Sequence, residues 1–143
     1  MCTGNICRSP FAAEVAVALG LAPSQVSSSG VWADPGRACP PQAVAAAAGF
    51  GVDLTHHAAR SVARETLAER DWVLAMEFSQ LGEVRRLVPP GWAGTATLLG
   101  RFAPGGGVEI PDPYGGSPEE YRVAYDLIRQ AVSRWLGALG DAP

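Results

Sequence analysis

The sequence contains no lysine. All 11 basic residues are arginine, and set against 14 acidic residues they leave a formal net charge of −3. That balance supplies neither the basic footprint of a nucleic-acid binder nor a polybasic stretch for an anionic membrane, although a few local donors can still hold a small anion. No apolar run approaches the ~18 residues of a membrane span, and no charged segment followed by an apolar core opens the chain as a signal peptide would. A cytoplasmic protein with no membrane span and no nucleic-acid partner is expected. Cysteine is scarce and odd in number, with Cys2, Cys7 and Cys39 the 3 present, which is not the framework of a disulfide-stapled secreted domain. The 2 histidines, His56 and His57, are adjacent and point different ways on any regular element, so no metal-ligand set is expected, nor any cofactor. What is present is 48% hydrophobic and 17% charged sequence over 143 residues. Those values fit one folded domain, residues 1–143, large enough to bury a core.

Periodicity divides the chain into alternating helices and strands. Ser9 reads as an N-cap and Pro10 as a first helical residue, with Phe11, Val15, Ala18 and Leu19 on one face and Gly20 as the stop. "QVSSSGVW" predicts a short strand, "PPQAVAAAAGFGV" a second helix ending at Gly49, and "ARETLAERD" a third beginning near Ser61. "DWVLAM" is apolar almost throughout, as in a strand buried on both faces. "SQLGEVRRLV" resumes the helical pattern, and "TATLL" gives another strand. A final helix carries a cap, first residue and capping-box partner in Ser117, Pro118 and Glu120, and an apolar stripe of Ala124, Leu127, Ile128, Ala131, Trp135 and Leu139. The alternation predicts an open parallel α/β sheet with helices on both faces, and ligands in such sheets bind beyond the carboxyl ends of the strands.

The opening "MCTGNICRSP" places a thiol at Cys2 and a guanidinium at Arg8, with five residues between them and a helix about to begin. Displacement at a phosphate monoester needs a nucleophile, donors for the equatorial oxygens and a proton for the leaving oxygen. Backbone N–H groups of Thr3, Gly4, Asn5, Ile6 and Cys7 can turn inward. Gly4 permits a conformation other residues resist, and Asn5 tolerates a left-handed one. Arg8 offers a planar fork matched to two phosphate oxygens, and the helix N-terminus adds to the attraction. The same field, with the Ser9 hydroxyl, favours the thiolate of Cys2 as nucleophile. Far along the chain, "IPDPYGG" holds Asp112 in a proline-fixed turn, where a carboxylic acid could protonate the departing oxygen and then activate water. Trp32 and Tyr114 are candidates to wall a pocket for a phenyl ring.

Together "CTGNICRSP" and "DPY" resemble the phosphate-binding signature and acid loop of the low-molecular-weight protein tyrosine phosphatase family. "SSG", "HHAAR" and "DWVLAM" extend the resemblance over nearly the whole chain. It implies a flavodoxin-like sheet of four parallel strands, a cysteinyl-phosphate intermediate and no metal. By position it makes Cys2 the nucleophile, Arg8 the phosphate ligand and Asp112 general acid and then base. Ser9 would support the thiolate, Asn5 would hold the loop's shape, and His57 would brace the loop from outside the site. Cys7 resembles the family's second loop cysteine, which can pair with the nucleophile on oxidation. The implied substrate is a tyrosine-phosphorylated protein or a small aryl phosphate; the resemblance leaves the oligomeric state open. In the family a first strand runs straight into the cysteine, whereas only Met1 precedes Cys2 here. The expectation is therefore a domain truncated at its N-terminus, with that strand missing from the chain.

Related readings use the same loop. Arsenate reductases of this fold need two further cysteines later in the chain, and none follows Cys39. Protein arginine phosphatases carry a small threonine where Ile6 stands, and a bulkier Ile6 favours a flat phenyl phosphate. A non-catalytic phosphate-binding module remains the alternative if the chain cannot hold the nucleophile in place.

Overall fold

The computed structural model describes residues 1–140. Five helices and two strands follow one another as α1 (Arg8–Ala18), α2 (Pro41–Ala48), α3 (Arg64–Ala68), β1 (Trp72–Ala75), α4 (Phe78–Leu87), β2 (Thr95–Leu98) and α5 (Pro118–Gly140). β1 and β2 pair in parallel, Trp72 opposite Thr95 and Ala75 opposite Leu98. Successive side chains of β1 and its extension face opposite ways, as pleating requires. Val73 packs with Leu67 of α3 and Val84 of α4. Leu74 and Met76 join the larger cluster built on α1, α2 and α5. Helices therefore cover both faces, and the class is α/β as the alternation predicts.

At the centre of the larger cluster Phe11 of α1 stacks on Tyr125 of α5, ring centroids 4.0 Å apart and planes 3° from parallel. Phe50 meets Phe11 edge-on at 5.5 Å. Burying aromatic rings of this size contributes roughly 1.5–3 kcal/mol each, and the α1–α5 contact is thus the main brace behind the opening loop. α5 begins as its capping box predicts: Ser117 N–H donates to Glu120 Oε2 at 2.7 Å and Glu120 N–H to Ser117 Oγ at 3.3 Å. Its buried residues are Tyr121, Ala124, Tyr125, Ile128, Ala131 and Val132, while Leu139 is exposed.

Other expectations are corrected. α1 starts at Arg8, with Cys7 in the cap position, because the Ser9 hydroxyl is committed to Cys2 and Asn5 and caps nothing. Its buried side is Phe11, Val15 and Ala16, and Ala18 and Leu19 are exposed. "QVSSSGVW" is not a strand by the criterion of a continuous ladder. It runs extended with isolated parallel bridges, Gly30 to Cys2 on one side and Gly30 to Ser61 on the other. Ser61 lies in that bridge, so α3 begins later, at Arg64.

Met1 and Cys2 occupy the track between this extended segment and β1. The Met1 amino group donates to Leu74 O at 2.6 Å, and Met76 N–H donates to Met1 O at 3.1 Å. On the other side Cys2 N–H donates to Ser29 O at 3.3 Å and Val31 N–H to Cys2 O at 3.1 Å. The two flanking tracks border a cavity of about 140 Å³ whose lining includes Val26, Ser28, Trp72 and Leu74. Among the described residues two strands form a continuous ladder, where four were expected. Gly30 is required where it stands: a Cβ there would lie 2.4 Å from Thr3 O and 2.9 Å from Asn5 N. The extended segment presses directly on the opening loop at this point.

Candidate active site

Residues 2–8 close a loop over the N-terminus of α1. Asn5 is its left-handed residue at φ 55, the one non-glycine with positive φ among the described residues. Gly4 was expected to take the unusual conformation. Its φ is not positive, and a Cβ there would only touch Ile6 at 3.4 Å, while Asn5 takes the left-handed conformation expected of it. Strain at Asn5 is held in place by four contacts. Its side-chain amide donates to Ser9 Oγ and to Ser28 Oγ, each at 2.9 Å, and its Oδ1 accepts from Arg60 N–H at 2.8 Å. His57 Nε2 meets its carbonyl at 2.7 Å. Asn5 and Ser9 are buried beneath the site, and neither lines the pocket.

Cys2 Sγ lies 3.0 Å from Ser9 Oγ and accepts from Asn5 N–H at 3.3 Å. The backbone N–H groups of Gly4, Ile6 and Cys7 have no backbone acceptor among the described residues, which leaves donors for an oxyanion. Arg8 is 1% exposed, and both of its Nη atoms have partners. Nη1 donates to Ile110 O at 2.8 Å and pairs with Glu77 Oε1 at 2.5 Å, while Nη2 pairs with Asp112 Oδ2 at 3.1 Å. A buried guanidinium needs such partners. Asp112 also accepts Tyr114 N–H on Oδ1 at 3.2 Å, which closes the turn.

These residues surround a cavity of about 220 Å³ lined by Cys2, Thr3, Gly4, Ile6, Cys7, Arg8, Trp32, Arg37, Asp112 and Tyr114. The thiol, the guanidinium and the distant carboxylate thus converge. Trp32 and Tyr114 stand at its mouth, 77% and 54% exposed. Trp32 is tied to the loop by its N–H to Thr3 O at 3.0 Å. Sequence reasoning missed Arg37, which donates to Tyr114 OH at 2.9 Å and lies over that ring. It also missed Glu77, which nothing local marks, and the role of Ser28, which lies in the "SSG" of the resemblance. Cys7 touches Tyr121 OH at 3.6 Å, and burial pushes its thiol up to about 11. Burial likewise pushes Cys39 up to about 12. Among the described residues no group of three or more His, Cys, Asp or Glu side chains converges to hold a metal ion.

Burial holds His57 below the ordinary histidine value, against the opposing effect of its bond to Asn5 O. The unfolded chain therefore takes up a proton more readily than the folded one, and stability declines as pH falls from about 6.5 through the lower, folded value. Urea unfolding at about pH 7.5 and about pH 5.5 should show a larger drop in wild type than in His57→Gln, which does not titrate. Equal drops would assign the pH dependence elsewhere.

A family described as "Low molecular weight phosphotyrosine protein phosphatase" matches residues 1–142. The low molecular weight protein-tyrosine-phosphatase Wzb of Escherichia coli (strain K12) is 32% identical over 139 residues, covering 97% of this chain and 92% of its own. Among solved structures, tyrosine phosphatase Wzb from Escherichia coli K30 in complex with sulphate superposes with a TM-score of 0.86 at 34% identity, over 97% of this chain and 94% of that one. Vibrio vulnificus Wzb in complex with benzylphosphonate gives a TM-score of 0.84 at 30% identity, over 96% and 94% respectively. Sequence and structure agree along nearly the entire length, and the chain belongs to the low molecular weight phosphotyrosine protein phosphatase family.

Proposed function

We propose that residues 1–143 form a single cytoplasmic phosphatase domain that hydrolyses phosphotyrosine through a cysteinyl-phosphate intermediate at the loop of residues 2–8. The observation that carries this reading is the convergence of Cys2, Arg8 and Asp112 on one pocket with aromatic walls. The complex of a relative, Vibrio vulnificus Wzb, with benzylphosphonate, a phenyl ring joined through a methylene to a phosphonate, supports the same kind of ligand here. The reading includes a sheet of four parallel tracks, supported by the parallel bridge of Gly30 to Cys2 and the bonds of Met1 to Leu74 and Met76 beside the β1–β2 ladder.

In this mechanism the loop N–H groups and Arg8 take the equatorial phosphate oxygens. The incoming phosphate competes with Asp112 for Arg8, and Glu77 keeps the guanidinium oriented. Cys2 sulfur attacks phosphorus in line as the ester P–O bond breaks, and Asp112 gives its proton to the departing phenolic oxygen. The carboxylate then takes a proton from water, whose oxygen attacks phosphorus; the P–S bond breaks and phosphate leaves with the thiolate restored. Ile6, buried at the pocket wall, narrows the space toward a flat ring.

The test compares a phosphotyrosyl peptide with a phosphoarginyl peptide of the same sequence. Turnover of the first, with kcat/KM higher by at least about tenfold, is expected. Preference for the second would make Ile6 no barrier and move the chain to the arginine phosphatases. Binding of vanadate without turnover of either would make it a phosphate-binding module.

A further inference from the structure

Gln80 is completely buried on α4, and the mechanism above does not use it. Its side-chain oxygen accepts from Met76 N–H at 3.0 Å and from Glu77 N–H at 3.1 Å, where β1 turns into α4. Two backbone donors on that oxygen leave the amide only one orientation, with the NH2 group turned the other way. There Nε2 donates to Thr3 Oγ1 at 3.1 Å and lies 3.3 Å from Glu77 Oε1. All four hydrogen-bonding positions of the amide are thus in use.

The consequence falls on Thr3. Its hydroxyl oxygen accepts from Gln80, so its own proton is directed elsewhere, and it donates to no described residue. Thr3 lines the pocket one residue after the nucleophile, and its carbonyl carries the N–H of Trp32, which stands at the mouth. Thr3 is exposed, so the residue stands on the open wall of the pocket beside the thiol. We propose that Gln80 is a positioning residue that fixes the Thr3 hydroxyl as a hydrogen-bond donor on the pocket wall, where it reads a peptide carbonyl beside the phosphorylated tyrosine. The Gln80–Glu77 contact is the longest of the set, and Glu77 spends its charge on Arg8, so the effect runs through Thr3.

The proposal rests on the phosphatase reading for its substrate, and the experiment separates the two. Thr3→Val, Gln80→Met and the double variant are compared with wild type on a phosphotyrosyl peptide and on p-nitrophenyl phosphate, which has no peptide carbonyl. Each single change should shift the kcat/KM ratio of peptide to aryl phosphate about fivefold toward the aryl phosphate, through KM on the peptide, as loss of one neutral hydrogen bond predicts. The double variant should shift it no further, since both changes remove the same donor. Additive shifts, or a lower melting temperature for Gln80→Met with the ratio unmoved, would make Gln80 a structural cap and overturn the proposal. If wild type turns over neither substrate, the phosphatase reading fails alone. Calorimetric binding of the phosphotyrosyl peptide then decides, and equal affinity of wild type and Thr3→Val overturns the donor.

Discussion

Cys2→Ser lowers turnover of an aryl phosphate by about 10⁴-fold or more, while inorganic phosphate still binds. The expectation follows from how the loop divides its work. The donors for an oxyanion are backbone N–H groups and Arg8, none of which depends on sulfur. The bond to phosphorus depends on nothing else. Serine keeps the size of the side chain and the reach to Ser9 Oγ and Asn5 N–H, the two groups that contact Cys2 Sγ, so the loop is not expected to collapse. A hydroxyl in that setting has no base to take its proton, and oxygen is intrinsically a weaker nucleophile than sulfur. Steady-state assay with calorimetric phosphate binding checks both halves. Activity within tenfold of wild type would remove Cys2 from the role of nucleophile.

Asp112→Asn should lower kcat on a phenolic ester of high leaving-group pKa by about 10² to 10⁴, and much less on an activated nitrophenyl ester. The amide cannot supply the proton the poor leaving group needs. The same substitution removes the carboxylate that pairs with Arg8 Nη2 at 3.1 Å, so phosphate no longer competes with an anion for the fork. KM therefore stays level or falls as kcat drops, a split that a general loss of structure would not produce. A uniform loss of kcat across both leaving groups would place the acid elsewhere.

The parts of the site that were legible in the sequence are those whose meaning is local. Cys2 and Arg8 are set by a loop only a few residues long, and Ser117 and Glu120 cap α5 within one turn. Asp112 was legible as chemistry because proline and an aromatic frame it, although its meeting with Arg8 depends on chain folding back across a separation of 104 residues. Glu77 and Gln80 carried no such frame. In sequence they are the ordinary start of a helix, and only the approach of β1 to the loop gives them partners. Ser9 failed for the opposite reason. It has a strong local habit of capping, and the tertiary setting turned its hydroxyl to Cys2 and Asn5, leaving Cys7 in the cap position with no side-chain cap bond. The segment around Gly30 read as a strand because its residues suit one, but strand status is decided by neighbours, which here offer only isolated bridges.

Asn5 meets Ser28, His57 and Arg60 across separations of 23, 52 and 55 residues. No short fragment of the chain contains both the loop and the contacts that shape it, so the anion cradle cannot form before those segments have docked. Ligand affinity and global folding are for that reason one linked equilibrium. An oxyanion that enters the cradle raises the melting point of the whole domain, and a substitution remote from the pocket that loosens any one of those segments reads out as weaker phosphate binding.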